Sequence, residues 1–231
     1  MTARKAKAKT KAKTKSAKRD DAALKTAVLM AALDHAPFDG FTPAVLERAG
    51  EEAGADEAAR ARLFPDGALS LVEAFSEWAD GEMEKTLAAA NLSKKKIRER
   101  IAAAVLARIE ALAAHKEAAR RAGAFLTLPP HAPLGMKLLY RTVDSMWRAA
   151  GDTSTDFNFY TKRAILAGVY SSTLIRWFND DSADQAATHD FLARRIDDVM
   201  RFEKFKADVK ARAKDWPTLA DILNGSTRAR R

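Results

Sequence analysis

From Leu166 to Trp177 the residues Leu166, Val169, Tyr170, Thr173, Leu174 and Trp177 fall at i, i+3, i+4, i+7, i+8 and i+11. That spacing puts them on one stripe of an α-helix, because 3.6 residues per turn brings such positions together, whereas a strand would scatter them over both faces. The same period recurs upstream in Leu139, Val143, Met146, Trp147 and Ala150, and downstream in Leu192, Ile196, Val199 and Met200. Glycine is sparse and strictly alternating β-branched runs are missing, so an all-α fold is expected. The pattern predicts helices over Asp20 to His35, Thr42 to Ala49, Asp56 to Phe64, Gly67 to Ala90, Ser93 to Ala119, Pro133 to Ala150, Asp156 to Phe178 and Gln185 to Lys206. Pro37 and Gly40 are expected to stop the first of these.

Charge narrows the partners. The formal charge is +9, which suggests a polyanion binder, but residues 1–19 hold nine lysines and arginines and no acid, so both signs are equal in number from Asp20 onward. A lysine-alternating stretch with no apolar run is expected to be a disordered polybasic arm. It lacks the apolar centre of a signal peptide, and a transit peptide, usually richer in arginine and carrying an apolar face, is the lesser reading beside a bacterial polybasic arm. Without cysteine, no disulfide framework, thiolate metal site or cysteine nucleophile is possible. No apolar run approaches the ~20 residues that span a bilayer. His35, His115, His131 and His189 show no metal-ligand spacing, and no phosphate loop, nucleophile elbow or dinucleotide fingerprint occurs. No catalytic or metal residue is therefore assigned, no cofactor is expected, and the chain is read as a non-enzyme.

The densest chemistry lies between Met146 and Arg163, in Met146-Trp147-Arg148-Ala149-Ala150-Gly151-Asp152-Thr153-Ser154-Thr155-Asp156-Phe157-Asn158-Phe159-Tyr160-Thr161-Lys162-Arg163. Gly151 suits the left-handed cap of one helix, and Thr153 with Asp156 three residues on suits the capping box of the next. Read plainly, this is a well-made helix corner. Yet Phe157, Phe159 and Tyr160 span most of a helical turn, so they cannot all point into one core. An aromatic left at the surface beside acids and an arginine has the composition of a protein contact.

With Leu128-Pro129-Pro130-His131-Ala132-Pro133 upstream and the helices through Phe205 downstream, this segment resembles the lipid-binding accessory family of ubiquinone biosynthesis, the ninth numbered coenzyme Q biosynthesis protein of eukaryotes and its bacterial relatives. The resemblance covers residues 125–205 and departs at Phe159, where family members often carry tryptophan. It implies an apolar cavity holding an isoprenoid quinone or a phospholipid, and a surface that docks the di-iron demethoxyubiquinone hydroxylase. Carried over by position, Asp144, Met146, Asp156, Phe159, Tyr160 and Arg163 are partner-surface candidates. Trp147, Phe157, Ala164 and Leu166 are lipid-pocket candidates, with ordinary core as their other reading.

The N-terminal half is similar to the helix-turn-helix of TetR-type regulators in Gly40-Phe41-Thr42, Leu46, Ala49, Gly54 and Leu63-Phe64. Here the recognition helix would offer Asp56 and Glu57 to the DNA backbone, which acids repel. DNA binding is therefore not expected, although Arg60 and Arg62 keep open the alternative of a TetR-type transcriptional regulator with a lipid or acyl effector. Two long amphipathic helices at the end of such a chain imply a homodimer, and a purely structural dimer that scaffolds enzymes is a third reading. Near the C-terminus, Trp216, Leu219, Ile222 and Leu223 form an apolar face flanked by Lys210, Arg212, Lys214, Arg228, Arg230 and Arg231. That is the pattern of an interfacial helix on a membrane surface; the competing reading is a helix docked on its own domain. The organisation expected is a polybasic arm at 1–19, a degenerate helix-turn-helix unit at 20–66, a lipid-binding and dimerisation domain at 67–206, and a membrane-associating segment at 207–231. The expected location is the bacterial cytoplasm, peripheral on the inner membrane.

Overall fold

In the computed structural model, residues 2–152 and 157–214 are described, with side chains over 20–152 and 159–202. The expected capping box at Thr153 and Asp156, the side chain of Phe157, and the apolar face of Trp216, Leu219, Ile222 and Leu223 lie outside the described residues. The described chain forms α-helices α1 (Thr2–Asp39), α2 (Pro43–Glu52), α3 (Glu57–Leu63), α4 (Ala68–Ala89), α5 (Ile97–Leu112), α6 (Lys116–Thr127), α7 (Ala132–Ala149), α8 (Phe157–Phe178) and α9 (Ala186–Lys214).

Helix α1 differs from expectation at both ends. It is helical from Thr2, so the backbone of the basic arm continues the helix. Alanine and lysine both favour helix, and extending an existing helix avoids the cost of nucleation. At the other end α1 runs through Pro37 and stops only at Gly40, which has φ +70 and donates its N–H to the Ala36 carbonyl at 3.0 Å. One face of α1, from Val28 through Leu29, Ala32 and Leu33 to Ala36, is buried against α2 and α6.

Local signals fix the next two helices. Thr42 caps α2 by accepting from the Val45 N–H at 3.3 Å, with Pro43 in the first turn, where its missing donor costs nothing. Asp56 caps α3 by accepting from the Ala59 N–H at 2.7 Å, which leaves Glu57 as its first helical residue. Helices α4, α5, α7 and α8 then pack around a shared apolar core that includes Leu71, Val72, Met83, Val105, Ile109, Val143 and Trp177, and α9 closes it against α5 and α8.

The single helix expected over Ser93 to Ala119 is instead two. After α5 a 3-10 turn at Ala113–His115 redirects the chain, with His115 leaving helical geometry at φ −124 and ψ 36. Tertiary contacts hold the break: the His115 ring meets Trp78 edge-on at 5.6 Å, and Lys116 Nζ donates to the Asp180 carbonyl at 2.8 Å. The result is α6, a separate wall placed against α7 and α8.

Candidate functional site

The corner between α7 and α8 is built on charge. Gly151 takes φ +87, as its cap role requires, and a Cβ there would meet Arg100 Nη1 at 3.2 Å. Arg100 Nη1 in turn donates to the Ala150 carbonyl at 3.1 Å, tying α5 to the end of α7. Inside the corner Arg163 is 3% exposed. Its Nε donates to Asp144 Oδ1 at 2.7 Å and its Nη2 lies 2.6 Å from the same oxygen. Its Nη1 donates to Asp152 Oδ2 at 3.3 Å and to the Phe159 carbonyl at 3.1 Å. The guanidinium also stacks on the Phe159 ring, 3.3 Å from its centroid. Asp144 is shared with Arg148, and Asp152 with Lys162.

This geometry sorts the expected partner surface. Tyr160 is exposed and Phe159 half-buried, edge to face with it at 5.1 Å. Met146 and Arg163 are buried, which takes both off the surface where they were expected. Met146 is 0% exposed because the apolar stripe of α7 turns it into the core, and Arg163 is pulled in by two carboxylates. Asp144 is half-buried beneath Arg163 and Arg148. Asp156 lies outside the described residues.

The chain contains an apolar cavity of about 520 Å³ between α4, α5, α6, α7 and α8. Ala122 and Gly123 from α6, Leu138 and Leu139 from α7, and Leu174 and Phe178 from α8 are among its lining residues. Met136 and Ile175, also on its lining, are exposed and mark a side open to solvent. Arg108, Thr142 and Tyr170 line it too, and all three are buried. Arg108 Nε donates to Asp80 Oδ1 at 2.7 Å, and Thr142 Oγ1 donates to the same carboxylate at 2.9 Å. Burial pushes the Tyr170 phenol above its ordinary range; the Arg108 charge works against that shift and the Asp80 charge with it.

A second apolar cavity, of about 430 Å³, lies where α5, α8 and α9 meet. Trp147 and Leu166, expected as lipid-pocket residues, line this second cavity together with Ile101, Ile196 and Val199. Trp147 is pinned there by its indole N–H, which donates to the Lys162 carbonyl at 3.1 Å. Ala164 is exposed on α8 and lines neither cavity, because the helix turns it away from the buried stripe of Leu166, Val169 and Tyr170. The larger cavity was missed from sequence because the expected helix ended at Ala119, which joined the first turn of α6 to α5 and left the rest of its wall, residues 120–127, in no helix. The signal available was the small-residue run Ala118, Ala119, Ala122, Gly123.

Among the described residues no group of three or more histidine, aspartate or glutamate side chains is placed to hold a metal ion. No described helix is long and apolar enough to cross a membrane.

In fold, the chain is similar to the crystal structure of a TetR transcriptional regulator from Nitrosomonas europaea. The TM-score is 0.61 at 19% identity, covering 74% of this chain and 95% of that one. It is an all-α protein of the TetR-like fold. Its residues 132–203 match the sequence model of the COQ9 family. The bovine mitochondrial ubiquinone biosynthesis protein COQ9 is 34% identical over 80% of this chain, and the human protein 32% identical over 80%. The chain thus carries a COQ9 domain and is a homologue of the COQ9 ubiquinone biosynthesis proteins. It spans 60% of the length of each of those two relatives. The expected bacterial cytoplasmic location is corrected by these relatives, which are named as mitochondrial proteins of eukaryotes and point to the mitochondrion.

Proposed function

We propose that this chain acts in ubiquinone biosynthesis as a non-catalytic lipid-binding protein, taking an isoprenoid quinone intermediate from a membrane and delivering it to the demethoxyubiquinone hydroxylase. The observation that carries this reading is the apolar cavity of about 520 Å³ with an exposed side at Met136 and Ile175. Its volume falls in the range of ligand pockets. An isoprenoid tail drawn out of hydrocarbon loses ~0.8 kcal/mol for each methylene exposed to water. A cavity walled by Leu138, Leu139, Leu174 and Phe178 receives such a tail without that loss. The names of the COQ9 relatives supply the pathway.

The docking surface for the hydroxylase is the exposed Tyr160 with Phe159 beneath it, at the corner held rigid by Arg163. A homodimer through α8 and α9 belongs to the same reading, supported by the exposed Met200 and Phe202 of α9. Membrane contact is assigned to Trp216, Leu219, Ile222 and Leu223, from their sequence pattern alone. The transcriptional-regulator alternative draws on the TetR-like fold, but the helix-turn-helix speaks against it. Arg62 is paired with Asp21 at 2.7 Å and Arg60 donates to the Ala55 carbonyl at 3.1 Å, so both arginines of α3 are engaged within the chain.

Organic extraction of the purified full chain followed by mass spectrometry tests the reading. A co-purifying isoprenoid quinone or phospholipid is expected. Lipid-free protein that also fails to take up an isoprenoid from vesicles would overturn it.

A further inference from the structure

Between α4 and the second turn of α5 the chain carries Lys94, Lys95, Lys96, Arg98 and Arg100 against a single acid, Glu99. Arg100 is spent on backbone carbonyls, and Glu99 accepts from the Lys96 backbone N–H at 3.1 Å. The other four cations are exposed, and among the described residues none of them makes an ion pair. Elsewhere on the surface Lys25, Arg62, Lys85, Lys137 and Arg148 each pair with an acid. Ile97 stands among the four, 47% exposed. With Lys96 and Arg98 it lines the second cavity, whose residues Ile101, Leu166 and Val169 are buried. Cations therefore frame an apolar side chain at the open edge of an apolar hollow.

The patch is held in place. Leu92 is buried beneath it, and the Lys95 N–H donates to the Leu92 carbonyl at 3.0 Å. Arg100 donates from Nη2 to the Ser93 carbonyl at 2.8 Å and from Nε to the Lys95 carbonyl at 2.9 Å. Its Nη1 donates to the Ala150 carbonyl at 3.1 Å. One guanidinium thus ties the basic turn to the end of α7 and fixes the patch relative to the corner that carries Tyr160.

Two features of the patch select its partner. Unpaired cations gain from a surface dense in negative charge, and an exposed isoleucine gains from leaving water. The headgroup layer of an anionic bilayer offers both, phosphates at the surface and hydrocarbon just below. A nucleic-acid backbone would meet the cations and leave Ile97 against charge.

Resting on the membrane-uptake reading above, we propose that Lys94, Lys95, Lys96, Ile97 and Arg98 form a contact surface for an anionic membrane, separate from the C-terminal segment. Docked there, the chain holds its aromatic corner at a set orientation to the bilayer.

Because the chain has no cysteine, a single one carries a fluorescent label without interference. Full-length Ile97→Cys and Glu51→Cys, the latter exposed on α2, are labelled with nitrobenzoxadiazole. Each is mixed with phosphatidylcholine vesicles, with or without phosphatidylglycerol, that contain a nitroxide-bearing lipid. The Ile97 label should be quenched on the anionic vesicles, less so as salt is added, and the Glu51 label should not. Lys95→Ala with Lys96→Ala should weaken sedimentation with the anionic vesicles on the order of tenfold or more. If the chain sediments while the Ile97 label stays unquenched, or the double variant sediments like wild type, the proposal is overturned and the uptake reading stands. If the chain binds no vesicle, both fall. Duplex DNA that displaces the chain from anionic vesicles, with the displacement lost in the double variant, would make the patch a nucleic-acid surface instead.

Discussion

Two buried arginines lie about one-quarter of the chain apart in sequence and differ in how completely they are used. Arg163 has all three guanidinium nitrogens engaged, by Asp144, Asp152 and the Phe159 carbonyl, and its flat face covered by the Phe159 ring. Arg108 has one carboxylate, two long contacts to Ser76 and a nitrogen without a partner. The first holds a corner together, with every guanidinium nitrogen engaged. The second borders a cavity and keeps a donor in hand. A buried charge saturated by its own chain is architecture; one left short is a cost that the fold carries.

The largest expected effect comes from breaking the saturated site. Arg163→Met removes the buried cation that Asp144 and Asp152 share, leaving them only the more exposed Arg148 and Lys162, and urea unfolding should show a loss of roughly 3 kcal/mol. The contrasting change is Arg108→Met with Asp80→Leu, which removes both charges together. Its stability by the same measurement should stay within about 1 kcal/mol of wild type or rise, and a loss as large as that of Arg163→Met would erase the distinction between the two sites. Gly123→Leu separates binding from folding. A Cβ at Gly123 meets only Phe178, at 3.7 and 4.0 Å, which is ordinary contact, and the position lines the cavity, so leucine is expected to fill part of that space while removing a helix-weakening glycine. Lipid co-purification should fall while stability holds or gains about 0.5 kcal/mol.

Tyr160→Ala touches neither arginine. Thermal stability should move by no more than about 0.5 kcal/mol, while capture of the hydroxylase weakens; a large loss of stability would make the aromatic corner structural only. The smallest effect is spectroscopic. Tyr170 is held neutral by burial, with its phenol raised above the ordinary range. A raised folded-state value means that its contribution to stability is complete below the ordinary phenol range and is lost as pH rises through and beyond it. In an ultraviolet titration one of the three tyrosines should stay protonated beyond that range, and Tyr170→Phe should remove the late component.

Much of the architecture could be read from periodicity. The stripe from Leu166 to Trp177 is buried at Leu166, Val169, Tyr170, Thr173 and Trp177, with Leu174 half-buried at the cavity, and Gly151 has the left-handed cap expected of it. Periodicity tells which face of a helix is buried and says nothing of what it meets. Arg108 and Asp80 are 28 residues apart, and Arg163 and Asp144 are 19 apart, pairings that only the packed fold creates. The division of α5 from α6 escaped notice for a related reason. No proline or glycine marks Ala113–His115, and the turn is held by Trp78 and Asp180 from distant elements. The Arg163 site was visible as composition and misread as surface, because two acids and a base near one helix corner look alike in sequence whether they face water or each other.

Helix α6 is fastened at both ends, by Lys116 on the Asp180 carbonyl and by the His131 ring stacked on Phe125 at 4.0 Å. Between these anchors it offers the cavity Ala119, Ala122 and Gly123. Small side chains make up that stretch of the wall. In the lipid-binding reading proposed above, such a wall works as a ruler: each methyl group added along it shortens the tail that can be measured against it, so tail-length preference can change one residue at a time while the backbone stays in place.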